Sequence, residues 1–452
     1  MRFFKAFLWA FFFFVLPDAG RAQGLSLISD EETQEVLTSW LAPIFKAADL
    51  DVSRMEIHLV KDDSINAFAA KGLHVFIHTG LITKADNAQE VISVLAHETG
   101  HIAGGHIVRL YENMRIAQRN VLVSMLLATV AGAASGRGDV GMAAWAAGSV
   151  SAQNLLMGYR RTEENAADQS AVSYLLATGH DLTGFRDMMK KLEAQEKLTI
   201  DPNTDVLWRT HPEIKDRLAF ILNQNKDVPP ADKKKTDGEN DDFQRIRAKL
   251  HAFLYPPDRT LKKYPLSDKS LPARYARAIA AYRSGKFDSA VRQIDDLIKM
   301  HPDDAFFYEL KGQILFETGQ AKKAVRAYEK AVALRGKSVL LRIGYAQALI
   351  ETQERENLLK AAEALEDVSA AHARIPFVWR LLAIAYGRLN RLDLAAYAQA
   401  ENAFLSQDDA SARFFADKAL SLLPESSAVA LRTQDILEQL KMRSLERKNL
   451  AH

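Results

Sequence analysis

Between Leu95 and Ile102 the chain reads Ala-His-Glu-Thr-Gly-His, placing His97 and His101 four residues apart with Glu98 directly after the first histidine. On an α-helix, residues four apart lie one turn above each other on the same face. Both imidazoles can therefore reach a single ion at Zn–N distances of ~2.0–2.1 Å. Glu98, one step round the helix, can lean over that ion and hold a water, so the three residues are the parts of a metal-assisted hydrolysis. Val91, Ile92, Val94, Leu95, Ile102 and Ala103 recur at helical spacing, which predicts the buried amphipathic helix that must carry them.

Zinc used catalytically takes three protein ligands and leaves the fourth position to water. Two candidates compete for the third place. Zinc proteases with a third histidine ten residues after the first would need it at position 107, where this chain has Ile107. His106 is thus one residue out of register and reads as structural. Glu164 and Asp168, in Tyr-Arg-Arg-Thr-Glu-Glu-Asn-Ala-Ala-Asp, are again four apart on a predicted helix. Glu164 completes a His, His, Glu set, and an acid one turn later can accept the free N–H of a ligand histidine and fix its tautomer.

His97 to His101 with His106 beyond, followed by Arg161-Thr162-Glu163-Glu164 and Ala167-Asp168, resembles the HtpX and CAAX-prenyl-protease superfamily of gluzincin zinc metallopeptidases. Asn66-Ala67-Phe68-Ala69 with Gly72 and residues 74–81 resembles that family's strand-rich segment before the zinc helix. Thr210-His211-Pro212, with Arg217 five residues on, resembles its late motif. The resemblance covers about residues 30 to 225. It implies one Zn2+ per chain held by His97, His101 and Glu164, with Glu98 as general base and proton shuttle and Asp168 orienting a ligand. It further implies that His211 sits near the metal, to stabilise an oxyanion or to latch the open position; the other reading of His211 is a turn residue before proline. Asn66, Ala67 and Phe68 read either as an edge strand that pairs with an extended substrate or as an ordinary core strand.

With 452 residues the chain exceeds one typical core, and 48% hydrophobic residues is a globular composition. A net charge of +2 argues against a nucleic-acid partner bound by phosphate neutralisation. Arg2 and Lys5 precede an apolar run from Ala6 to Leu16, and Gly20 and Ala22 form a small-residue exit. Residues 1–22 thus read as a cleavable signal peptide, the run being short of the ~20 residues of a membrane span. The absence of cysteine excludes disulfides and a cysteine-linked lipid anchor. Together these point to the periplasm of a Gram-negative bacterium.

Residues 121–134 and 140–150 are apolar halves too short to cross a bilayer; they read as a packed helical hairpin, with peripheral membrane contact as the alternative. Val228 to Asp242 carries many charges and two prolines, which predicts a solvated linker, and helical spacing returns from Phe243 to Leu254. Beyond Leu271, Tyr282, Gly285 and Ala290 recur as Phe316, Gly319 and Ala324, each 34 residues later. That is the tetratricopeptide period. About four repeats and a terminal helix running past Leu440 are expected.

The expected fold is therefore mainly α: an α+β zincin-type metallopeptidase domain with a small sheet over residues 23–226, a charged linker and connecting helix over 227–270, and an all-α repeat solenoid over 271–452. This layout resembles that of bacterial proteases that assist assembly of outer-membrane β-barrels and degrade stalled ones. By that resemblance the partners are unfolded or misassembled outer-membrane proteins and, through the repeats, the barrel-assembly machinery. The rival reading is a periplasmic chaperone or scaffold working through its repeats, with proteolysis latched or secondary.

Overall fold

The computed structural model describes residues 26–70, 72–110, 112, 160–198, 214–224, 228 and 230–450. The expected signal at 1–22, the apolar segment at 121–150 and His211 lie outside them. The chain divides into two compact units, Met1–His251 and Ala252–His452.

In the first unit, strands β1 (Leu27–Ile28), β2 (Glu56–Val60), β3 (Ala67–Ala70) and β4 (His74–His78) form one sheet in the order β1-β2-β4-β3. β2 and β4 run parallel, and β3 returns antiparallel along β4 with Ala67 opposite Ile77 and Ala69 opposite Val75. The alternation of the pleat sends Ile57, Leu59, Val75 and Ile77 into the core. Helix α1 (Glu31–Ala47) contributes the buried Leu37, Leu41, Ile44 and Phe45 and packs against β2. β3 is left at the sheet edge, the place where a strand keeps unpaired backbone groups.

After the short α2 (Thr79–Lys84), α3 (Ala88–Ala103) starts where Asn87 caps it, its side chain accepting the Glu90 N–H at 3.0 Å. Val91, Ile92, Leu95 and Ala96 are fully buried on the face packed against the sheet, α1 and α5 (Thr183–Leu198). Val91, Ile92 and Leu95 each contribute ~1.5–3 kcal/mol by leaving water, and with Ala96 they fix which face of α3 turns away from the core. Between α3 and α5 in sequence comes α4, a helix that includes residues 160–177. Helix α6 (Ile214–Gln224) follows α5 and packs on it.

The stretch expected to be solvated linker is helical from its sixth residue: α7 spans Lys233–Leu254. Its polar and charged side chains have partners that the sequence pattern conceals. Glu239 receives the His180 Nε2 contact at 3.1 Å, Asn240 Oδ1 accepts the Ala88 N–H at 2.9 Å, and Lys249 Nζ lies 2.9 Å from the buried Glu32. Phe243 and Ile246 are fully buried on the same helix.

The second unit is helical throughout. After α8 (Pro257–Lys263), antiparallel pairs follow: α9 (Leu271–Arg283) with α10 (Phe287–Met300), α11 (Ala305–Glu317) with α12 (Ala321–Leu334), α13 (Val339–Glu351) with α14 (Arg355–Ala371), and α15 (Pro376–Arg388) with α16 (Leu392–Leu405). Helices α17 (Asp409–Leu420) and α18 (Ala428–Leu450) close the array. The turn inside the first pair uses Gly285 at φ 73° and the turn inside the second uses Gly319 at φ 74°, the left-handed region in which glycine meets no steric cost. Among the described residues no helix is long and apolar enough to cross a membrane.

Candidate metal centre

Three side chains from two helices converge. His97 and His101 lie one turn apart on α3, and their Nε2 atoms are 3.0 Å apart. Glu164 on α4 brings Oε2 to 3.4 Å from His97 Nε2 and Oε1 to 3.2 Å from His101 Nε2. Ligands ~2.0–2.1 Å from a tetrahedral ion stand ~3.3 Å from one another, so these separations match one ion shared by all three. The carboxylate and His97 are buried and His101 nearly so.

The nitrogens on the far sides of both rings are already engaged. Asp168 Oδ1 lies 2.9 Å from His97 Nδ1, and His106 Nδ1 lies 2.9 Å from His101 Nδ1. With Asp168 accepting from His97 and His106 accepting from His101, both Nε2 atoms face the Glu164 carboxylate and would offer their lone pairs to an ion that displaces the proton held there. Burial and the nearby Arg109 hold the His106 pKa down at about 4, which keeps that ring neutral and able to accept.

Arg217, on α6, ties the acids together. Its Nε and Nη2 donate to the two oxygens of Asp168 at 2.8 Å each, and Nη1 stands 2.8 Å from Glu164 Oε2. Burial alone would raise the Asp168 pKa, but the guanidinium and His97 bring it to about 2. Burial and Arg217 oppose a charge on His97, yet Asp168 and Glu164 outweigh them and raise it to about 9. Glu98, Glu164 and Asp168 face a single guanidinium among these buried residues, an excess of negative charge that attracts a proton or, better, a dication. Donor types, spacing, inward-facing Nε2 atoms and charge all fit a divalent metal ion.

The close approach of α4 to α3 depends on Gly100. A Cβ there would lie 2.8 Å from the Ala167 carbonyl oxygen, inside any real contact, so the crossing that delivers Glu164 requires the missing side chain. On the other side, Glu98 Oε2 accepts the Ala69 backbone N–H of β3 at 3.1 Å. A small cavity of about 30 Å3 opens beside His97 and Glu98, lined also by Asn66, Ala67, Phe185 and Arg217. Asn66, just before β3, is 2% exposed, and neither atom of its amide has a hydrogen-bond partner among the described residues. Phe68 points to the other face and stacks on Phe76 at 4.9 Å.

Residues 31–225 match the model of Peptidase family M48, and residues 285–412 match that of the cytochrome c-type biogenesis protein H TPR domain. The chain carries an M48 peptidase domain. It is followed by tetratricopeptide repeats. A protein named beta-barrel assembly-enhancing protease in Yersinia pestis is 26% identical over 449 residues, covering 92% of this chain and 87% of its own. The protein of that name in Escherichia coli (strain K12) is 25% identical over 410 residues, covering 89% of this chain and 80% of its own.

The M48 peptidase domain thus brings His97, His101 and Glu164 into one cluster, with Asp168 behind His97 and Glu98 facing the cavity. Asn66 and Ala67 border that cavity, and Phe68 does not line it. Three contributors carry no chemical signal in the sequence. Gly100 is one letter of the motif with no role of its own, Arg217 one residue of a late pattern, and His106 reads as structural without a named partner. The available clue for His106 was its distance of five residues from His101, which lets the following turn fold back onto the ring.

Proposed function

We propose that this metallopeptidase is a zinc-dependent endopeptidase of the periplasm that degrades misfolded or stalled outer-membrane proteins and assists their assembly. The observation that carries the proposal is the convergence of His97, His101 and Glu164 with Glu98 at the cavity wall. Zn2+ is the natural occupant of a two-imidazole, one-carboxylate set, and when bound it would lower the pKa of a water to ~7 and polarise a carbonyl.

The residues of the chain supply the rest. Glu98 accepts a proton from the attacking water and passes it to the leaving amine, and the Ala69 N–H holds its carboxylate in that position. Asp168 and His106 keep the two ligand imidazoles in one tautomer and one orientation. An extended substrate pairs with the edge of β3 beside the Ala69 N–H that Glu98 occupies, and the Asn66 amide, which has no partner among the described residues, bonds its backbone. For His211 the role is the one that the family resemblance implies, to stabilise an oxyanion or to latch the open position.

The substrate class is drawn from the names of the relatives, which are beta-barrel assembly-enhancing proteases. The export signal read at residues 1–22 supports the compartment, and the repeat array supplies a surface for clients or for the barrel-assembly machinery. In a strain lacking the gene, wild type should clear a misassembled outer-membrane β-barrel and Glu98→Gln should not. Full rescue by Glu98→Gln would replace proteolysis with the chaperone or scaffold reading.

A further inference from the structure

We propose that Glu56, His58 and His74 form a second metal site, on the outer face of the sheet, for a transition-metal dication of the zinc class. The site is separate from the buried centre and does not rest on the function proposed above.

Its residues are brought together by strand register. β2 and β4 are parallel neighbours with Glu56 opposite His74, and His58 follows Glu56 by two positions. A pleat of period two therefore points all three side chains to one face, while Leu59, Val75 and Ile77 occupy the other and are fully buried or nearly so. His58 Nε2 lies 3.0 Å from His74 Nδ1, Glu56 Oε2 lies 3.4 Å from His74 Nδ1, and Glu56 Oε2 lies 3.7 Å from His58 Nε2. Donors around one tetrahedral ion at ~2.0–2.1 Å stand ~3.3 Å apart, so each pair needs an adjustment of only a few tenths of an ångström.

The rings are held for the purpose. His58 stacks on Phe76 at 4.6 Å and Phe76 on Phe68 at 4.9 Å, an aromatic row across three strands that limits how far the His58 imidazole can swing. The His58, His74 and Glu56 side chains are 26%, 35% and 62% exposed, which leaves an open path and room for water to complete the coordination. Two imidazoles and one carboxylate favour zinc, copper or nickel over calcium or magnesium. Greater exposure makes the affinity weaker than that of the buried centre. His74 opens β4 directly after the turn of the β3–β4 hairpin, so an ion bound here would fasten to β2 the hairpin whose Ala69 holds Glu98.

The test is equilibrium dialysis of the metal-stripped full-length chain against Zn2+, with elemental analysis. Wild type should take up a second equivalent more weakly than the first, and a His97→Ala/His101→Ala variant should keep that weaker equivalent alone. Glu56→Gln alters an exposed carboxylate and should leave the fold intact while weakening the second equivalent by at least ~10-fold, since even indirect partners of a metal cost ~10–100-fold. His58→Ala/His74→Ala should abolish it. Uptake of a single equivalent by wild type, or a second equivalent indifferent to both Glu56→Gln and the double histidine variant, would overturn the proposal.

Discussion

Gly100 and Ala167 mark the point where the two helices of the metal centre touch, so close that a Cβ on Gly100 would stand 2.8 Å from the Ala167 carbonyl oxygen. Glu164 lies one turn before Ala167 on the same helix, so this contact sets how far the third donor reaches. Gly100→Ala should push α4 outward and lower zinc affinity on the order of tenfold, the lower end of the range for residues that act on a metal through its ligands. Competition with a chromophoric chelator measures it. An unchanged affinity in a folded variant would show that the spacing of the helices is set elsewhere.

Arg217 holds Asp168 and Glu164 by charge as well as by hydrogen bonds. Arg217→Gln leaves two buried carboxylates with less compensation, which should destabilise the metal-free protein by about 3 kcal/mol, the scale for breaking one side of a buried ion pair. A bound dication replaces part of the lost charge. The gap in melting temperature between metal-loaded and metal-free protein should therefore widen in the variant, and an equal loss in both forms would contradict this role.

Glu32 is fully buried in α1 and paired with Arg245 and Lys249 of α7. Burial by itself would raise its pKa, but the two cations outweigh burial and the value lies below the ordinary one. For a carboxyl depressed in the folded state, the stabilisation is complete above the unfolded pKa of ~4.3 and disappears as pH falls through the folded value. Glu32→Gln should cost about 3 kcal/mol near neutral pH, and the difference in melting temperature from wild type should shrink as the solution is acidified below the ordinary carboxylate range. A difference that stays constant down to strong acid would exclude the charge of Glu32 as its source.

Gly285, Gly319 and Gln353 form a series with a period of 34 residues, and all three are left-handed, Gln353 at φ 59°. A side chain in that region costs ~1–2 kcal/mol. Gln353→Gly should stabilise the protein by about 1 kcal/mol after the greater flexibility of glycine in the unfolded chain is counted. Denaturant unfolding checks it, and a neutral or destabilising result would mean that the Gln353 side chain offsets its own strain.

The clustering at the candidate centre was legible because His97, Glu98 and His101 are brought together by helical spacing, a local property written directly in the sequence. Glu164 and Asp168 showed the same spacing, and the repeats announced themselves by period. Arg217, Gly100 and His106 did not, since an ion pair, a close helix crossing and a ring contact are tertiary facts with no local pattern. The misreading of residues 233–242 has the same origin. Charges at Lys235, Glu239 and Asn240's neighbours read as solvation, although Glu239 finds His180 and Asn240 finds Gln89 and Ala88, contacts about 150 positions away in the case of α3.

The central claim is that Glu98 does the proton transfer at a metal held by His97, His101 and Glu164. Zinc content and cleavage of an unfolded outer-membrane protein, measured side by side on wild type and Glu98→Gln, test it most directly. The two proteins should carry equal zinc, and the variant should lose ~10²–10⁴-fold in rate, the usual contribution of a positioned general base. A Glu98→Gln protein that carries the same zinc and cleaves at the wild-type rate would contradict the account.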